Sequence, residues 1–160
     1  MINLPQHRQR ALQEKKANKK FFSKLKARPP RDLDEQFHEL HEEVFREVDC
    51  LECANCCKTT SPIFRDVDIT RLALHLRQRP ADLVEQHLHL DGDGDYVLNT
   101  APCPFLGPDN YCSVYPARPK ACREYPHTDR KNMLQILPLT LRNTIVCPAV
   151  AEIVRRLRDV

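Results

Sequence analysis

Four cysteines fall within eight residues, Cys50-Leu-Glu-Cys53-Ala-Asn-Cys56-Cys57, and Cys103, Cys112, Cys122 and Cys147 follow at wider spacing. Thiolates packed this densely repel one another unless a cation holds them. A soft cation suits sulfur, either Zn²⁺ or the iron of an iron–sulfur cluster. The two-residue spacing of Cys50, Cys53 and Cys56 lets a tight turn aim several thiolates at one centre. Backbone amides in such a knuckle favour the thiolate form. Cys57 directly follows Cys56, so its side chain points to a second centre or serves as a bridging thiolate. Eight sulfurs divide most simply into two four-coordinate sites, the alternative being one site plus structural or substrate-facing thiols. All eight cysteines are therefore candidate metal ligands, and no catalytic residue stands out.

The identity of the metal stays open. Cys103-Pro104 and Cys147-Pro148 tilt slightly toward iron–sulfur, because the last cluster cysteine of bacterial ferredoxins also precedes proline. Zinc is the commoner partner of paired C-x2-C knuckles, but two well-separated knuckles are not present. A disulfide scaffold and unliganded redox thiols are the competing readings of the same count. The N-terminus has no apolar signal region, and no stretch approaches the roughly 20 apolar residues of a membrane span. A reducing cytoplasm is the expected setting, and it favours metal over disulfides.

Charge is unevenly spread. Residues 1–31 carry 10 Lys/Arg against Glu14 alone, net +9, while the remainder carries 15 Lys/Arg against 21 Asp/Glu, net −6. The reading is a basic N-terminal arm, residues 1–30, joined to a cysteine-cluster metal-binding domain, residues 31–160. The arm's apolar stripe of Leu12, Phe21 and Leu25 is thin for a packed helix, which predicts a solvated, partly helical tail. A protein or anionic partner is the functional alternative for it, with nucleic acid weakly supported. Near the cysteines, Lys58, Arg65, Arg118, Lys120 and Arg123 offset the negative charge of a thiolate-bound metal, or line an anion pocket beside it.

The elements that must position these groups read as mainly α, with an irregular, cysteine-rich, metal-centred core and little β structure. Leu33, Phe37, Leu40, Val44 and Val48 predict an amphipathic helix capped by Asp32 or Asp34 and leading straight into Cys50. His38 and His41 lie on it and are expected on its solvated face rather than on a metal. A second helix is expected from Asp66 or Asp68 with Ile69, Leu72, Ala73 and Leu76 inward, and a short one from Pro80. Asp91-Gly-Asp93-Gly-Asp95 resembles the start of a calcium loop, but Tyr96 and Pro102 occupy the positions that need Gly and Glu, so a turn into extended chain is expected. Residues 101–126 read as loops, Leu134–Leu141 as an apolar edge strand or bend at Pro138, and Pro148 as the start of a last helix.

The run Cys50-x2-Cys53-x2-Cys56-Cys57, then Cys103-Pro-Phe-Leu, then Tyr111-Cys112-Ser-Val-Tyr115-Pro-Ala-Arg118-Pro119-x2-Cys122-Arg123-x-Tyr125-Pro126, resembles the CxxCxxCC family, the YkgJ-like cysteine-cluster proteins. The resemblance covers about residues 48–127, and Asp66-Val-Asp68-x2-Arg71-Leu72-Ala73 is similar to the family's connecting helix. It implies zinc or iron chelation and no general activity. Many members have Gly between the second and third cysteines, where this chain has Ala54-Asn55, and Asn55 is expected to take the left-handed turn. Three functional readings follow. The first is a structural or regulatory metal-binding module. The second is an iron–sulfur redox or metal-dependent enzyme, with Arg118, Arg123, Tyr115 and His127 lining its pocket. The third is a nucleic-acid-associated protein acting through the basic arm.

Overall fold

The computed structural model describes residues 2–160. In chain order the elements are α1 (Leu4–Ala27), α2 (Leu33–Glu47), α3 (Cys50–Cys53), α4 (Asn55–Thr59), α5 (Asp66–His75), α6 (Pro80–His87), β1 (Leu88–Leu90), β2 (Tyr96–Leu98), α7 (Lys120–Glu124), α8 (Leu137–Val146) and α9 (Pro148–Arg158). The protein is mainly α, as its periodicity predicts. The elements group into two compact units. One comprises the chain up to Cys53 together with Pro126–Val160, and the other is Ala54–Tyr125.

The first unit is built on α1, α2, α8 and α9. The spacing that predicts α2 turns Leu33, Phe37 and Val44 inward, against Met133, Leu137, Val150, Ile153 and Val154. α9 is apolar along one face and ends in Arg155, Arg156 and Arg158, which suit the negative end of the helix dipole. Residues 4–27 correct the expectation of a solvated tail, because they form one 24-residue helix packed on α8 and α9. Its inner face buries Ala11, Phe22 and Leu25, with Phe21 packed beside them, and His7, Glu14 and Asn18 complete it. His7 Nε2 donates to the Ile145 carbonyl at 3.0 Å, and Asn18 Oδ1 accepts from Arg158 Nη1 at 2.8 Å. The Glu14 carboxylate accepts from Arg155 at 3.1 and 3.0 Å. These paired polar groups are what thinned the stripe in the sequence.

Two further expectations are corrected in this unit and one is refined. Pro138 does not bend a strand; a 3₁₀ turn, Met133–Ile136, leads into α8 with Pro138 in its first turn, where a missing amide costs nothing. Asp32 holds the N-cap position of α2, as expected, but its side chain does not bond the helix amides. Asp32 accepts from the Gln36 side chain at 2.9 Å, and Asp34 accepts from the amides of Asn132 and Met133 at 2.8 Å each. His38 and His41 are not simply solvated, since His38 Nε2 meets the Arg130 carbonyl at 2.9 Å and His41 Nδ1 meets Thr128 Oγ1 at 2.8 Å. Together these bonds fasten residues 128–133 to α2.

The second unit has shorter elements. Phe64, Ile69, Leu72, Ala73, Leu83, Leu88, Leu98, Val114 and Ala117 form its apolar cluster. β1 and β2 pair antiparallel in the register Leu88↔Leu98, His89↔Val97 and Leu90↔Tyr96. The expected turn joins them: Asp91 Oδ1 accepts from the amides of Asp93 and Asp95, and Gly94 takes φ 80°. Among the described residues no single helix is long and apolar enough to cross a membrane. The stretch Met133–Val146 with Pro148–Arg158 reaches that length only as a pair bent by 120°, and its apolar residues belong to the first unit's core.

Candidate metal centre

Five of the eight cysteines lie in the second unit, and local backbone geometry gathers four of them. The amide of Cys103 donates to the carbonyl of Cys57 at 2.8 Å, which joins α4 to the loop that starts at Cys103. That loop closes on itself, because Leu106 and Cys112 form an antiparallel bridge and the Gly107 amide donates to the Tyr111 carbonyl at 2.8 Å. A side chain at Gly107 would crowd the turn, since an added Cβ would stand 2.8 Å from Asp109 Oδ1, which accepts from the Tyr111 amide, and 3.3 Å from the Tyr111 carbonyl oxygen. Cys122 sits in α7, whose first amide, that of Lys120, donates to Asp68 Oδ1 at 3.2 Å.

Asp68 is the hub of this arrangement. Only 1% exposed, it accepts from the Arg65 amide, from both arms of the Arg65 guanidinium, from Arg71 Nη2 and from Lys120. Burial pushes its carboxyl up, and these donors more than reverse that, holding it far below the usual carboxylate range. Arg71 Nη2 also donates to the Arg118 carbonyl at 2.8 Å. Asp68 and Arg71 thus hold the segment 118–120 that precedes Cys122. Sequence reasoning took Asp66 or Asp68 as the helix cap and met Arg71 only in the family's connecting-helix pattern; as the third helical residue, Asp68 reaches back to the Arg65 amide. An acid and an arginine three apart on an otherwise apolar helix face were the available signal.

The thiols feel one another. Burial pushes Cys122 up to about 12, and the charges of Cys57, Cys103 and Cys112 push the same way while Arg118 opposes them. Burial also raises Cys103, helped by Cys57 and Cys112 and opposed by the amides of Phe105 and Leu106. Cys57 goes the other way, to about 7, because Cys56 donates a hydrogen bond to it and Arg118 adds positive charge, against burial. Cys57, Cys103, Cys112 and Cys122 therefore share one electrostatic neighbourhood, and Cys56 bonds to Cys57.

The first unit holds the other group. Cys50 and Cys53 bracket α3, the single turn that Asp49 starts by accepting from the Leu51 amide at 2.9 Å. Cys147 stands at the sharp bend between α8 and α9, its amide bound to the Asn143 carbonyl at 2.8 Å. Burial raises the Cys147 thiol to about 12, the amides of Val150 and Ala149 oppose this, and the charges of Cys50 and Cys53 add to it. None of the eight cysteines forms a disulfide. Among the described residues no three His, Cys, Asp or Glu side chains stand together closely enough to hold an ion as they are. The thiols are grouped by the backbone, and an ion would have to draw them in.

Of the expected pocket residues, Tyr115 and Arg118 stand together. The Arg118 guanidinium stacks on the exposed Tyr115 ring at 3.7 Å, and its charge reaches Cys57 and Cys122. Arg123 is exposed, Lys120 pairs with Glu124 at 3.6 Å, and Arg65 is committed to Asp68. His127 belongs to the first unit, in a left-handed conformation with φ 65°. Between α3 and α4 the left-handed residue is Ala54, with φ 47° and ψ 20°, and not Asn55, which begins α4.

The sequence profile of the CxxCxxCC family, described as "Putative zinc- or iron-chelating domain", matches residues 49–140. No curated protein and no solved structure matches the chain.

Proposed function

Because the chain belongs to the CxxCxxCC family, we propose that it is a cytoplasmic metal-binding protein with two cysteine centres, one in each compact unit, serving as a structural or regulatory module. The division of the thiols carries this reading. Cys57, Cys103, Cys112 and Cys122 supply four soft donors, the complete set for a closed zinc site or for a cubane iron–sulfur cluster. Cys50, Cys53 and Cys147 supply a second set. The donor chemistry fits zinc or an iron–sulfur cluster: the eight thiols range from buried to exposed, and Arg118 offsets negative charge at the first set. A bound cation would offset the burial that raises the Cys103 and Cys122 thiols, and the neighbouring thiolate charges that add to it. Cys56 is either a further ligand or only the donor that favours the Cys57 thiolate.

A second reading, an iron–sulfur redox or metal-dependent enzyme, draws on the smaller set. Three thiolates leave one position of a four-coordinate centre to another ligand, and an exchangeable ligand there is what such an enzyme needs.

Anaerobic purification followed by iron, zinc and acid-labile sulfide counts, with a visible spectrum, tests both. About two metal centres per chain are expected. Cys→Ser at 57, 103, 112 or 122 removes one centre and spares the other, and Cys→Ser at 50, 53 or 147 does the reverse. Loss of both centres from any single substitution would overturn the two-centre reading. A spectrum that shifts on adding cyanide would favour the enzyme. A protein that binds neither metal would end both readings.

A further inference from the structure

We propose that one flank of α1, with the cleft it forms against α8, is a docking surface for an acidic protein segment that carries apolar anchor residues. The charge of this helix is sorted by the fold. Glu14, the single acid among residues 1–31, is turned inward and held by Arg155. Arg8, Lys15, Lys19 and Lys26 are all exposed. At about 100° per residue they fall within about 40° of one another around the helix, a row about 27 Å long. No acid of α1 interrupts that row.

The row borders apolar surface. Phe22, Leu137, Pro138 and Leu141 line a cleft of about 190 Å³, and Lys19, Ser23 and Lys26 form its rim. The volume takes one or two apolar side chains. Leu12, 50% exposed, stands on the same flank, about 15 Å along the helix from the cleft. A partner helix with apolar residues about three turns apart and acids between them would fill both spots and meet the row of cations.

The same observations disfavour other anionic partners. A phosphate backbone has no group to place on Leu12 or in the cleft. Phe22 is buried, so it offers no exposed ring on which a base could stack. An anionic membrane would want the apolar face of α1, and that face is spent on α8 and α9.

The test uses the metallated full chain and fluorescence anisotropy. The probe is a labelled helical peptide of about five turns with leucines along one face and glutamates elsewhere. A scrambled peptide of the same composition and an RNA duplex serve as comparisons. The expected result is binding that weakens with salt and that prefers the amphipathic peptide over the scrambled one. Lys19→Glu with Lys26→Glu should weaken it by about tenfold or more, while Lys16→Glu with Lys20→Glu, about 80–120° further round the helix, should change it by less than about twofold. Equal losses from the two pairs would reduce the surface to diffuse charge and overturn the proposal. So would equal binding of the scrambled peptide, tighter binding of the duplex, or no binding of the amphipathic peptide.

Discussion

The two compact units are stabilised by different means. The first sets long helices around one apolar cluster running from Phe22 through Phe37 and Val44 to Ile153 and Leu157, and it binds its inward polar groups in pairs. The second, the 72 residues from Ala54 to Tyr125, has its longest helix in the ten residues of α5, with a three-residue hairpin and a smaller cluster. A body of this size, below about 80 residues, usually needs staples besides its core. The Asp68 hub is one such staple, and a metal held by the four thiols would be another. The comparison teaches that apolar burial carries the first unit, while the segment 101–125 rests on polar bonds and on whatever the thiols hold.

Removing the metal should separate the two units most strongly. Structural zinc contributes on the order of 10 kcal/mol to small cysteine domains, more than a typical whole domain's stability of about 5–15 kcal/mol can spare. After chelation, amide exchange should become fast in α7 and the 103–112 loop, while α2, α8 and α9 keep their protection. Equal loss of protection in both units would break the comparison. Phe37→Ala is the opposite probe: Phe37 is fully buried in the first unit, and its truncation should cost about 4 kcal/mol. Thermal unfolding should show that loss, with the metal count of the Cys57 group unchanged.

Asp68→Asn comes next, at about 2–3 kcal/mol, because it leaves Arg65, Arg71 and the Lys120 amide short of their common acceptor. The partial exposure of both arginines keeps the cost at the low end of a broken buried pair. The folded Asp68 carboxyl is held below its unfolded value, so its contribution is complete above the unfolded carboxylate pKa of about 4. It fades as pH falls further, toward the folded value. The gap between wild type and Asp68→Asn in denaturant titrations should therefore be flat at neutral pH and shrink in acid. A gap that grows in acid would assign the Asp68 effect to something other than its charge. Metal release from the variant should also be faster, since α7 and Cys122 hang on this bond.

Much of the fold was legible where burial and periodicity coincide. α2, α5 and α9 follow from apolar spacing, because each buries a stripe, and α6 follows from Pro80 with Leu83 turned inward. α1 was misread because its stripe is completed by His7, Glu14 and Asn18, whose partners Ile145, Arg155 and Arg158 lie about 140 residues away in sequence. No local pattern encodes such a pairing. Pro138 was misread because proline opens a helix as readily as it interrupts a strand, and the choice rests on the packing of Leu137 and Leu141 in the first unit. The cysteine run announced soft-metal chemistry at once. The division of its members between two units depended on where the chain turns after Cys53, and spacing alone is silent about that.

That turn is also where the smallest effect is expected. Ala54 stands in the left-handed region at φ 47°, which costs an L-residue about 1–2 kcal/mol. Glycine would remove the strain, but it would lose a methyl group worth about 0.8 kcal/mol in full burial and would leave a freer unfolded chain. Ala54 is 7% exposed, so most of the methyl term applies. The balance leaves Ala54→Gly stabilising by at most about 0.5 kcal/mol, and Ala54→Val, a β-branched residue forced left-handed, destabilising by about 2 kcal/mol. Denaturant midpoints measure both. A loss of 1 kcal/mol or more in Ala54→Gly, about what a deleted buried methyl alone would cost, would mean that packing of the Ala54 methyl outweighs backbone strain at the turn. Ala54→Gly at or above wild type with Ala54→Val well below it is the ordering that a left-handed backbone at residue 54 produces, because glycine takes that conformation freely and a β-branched side chain does not.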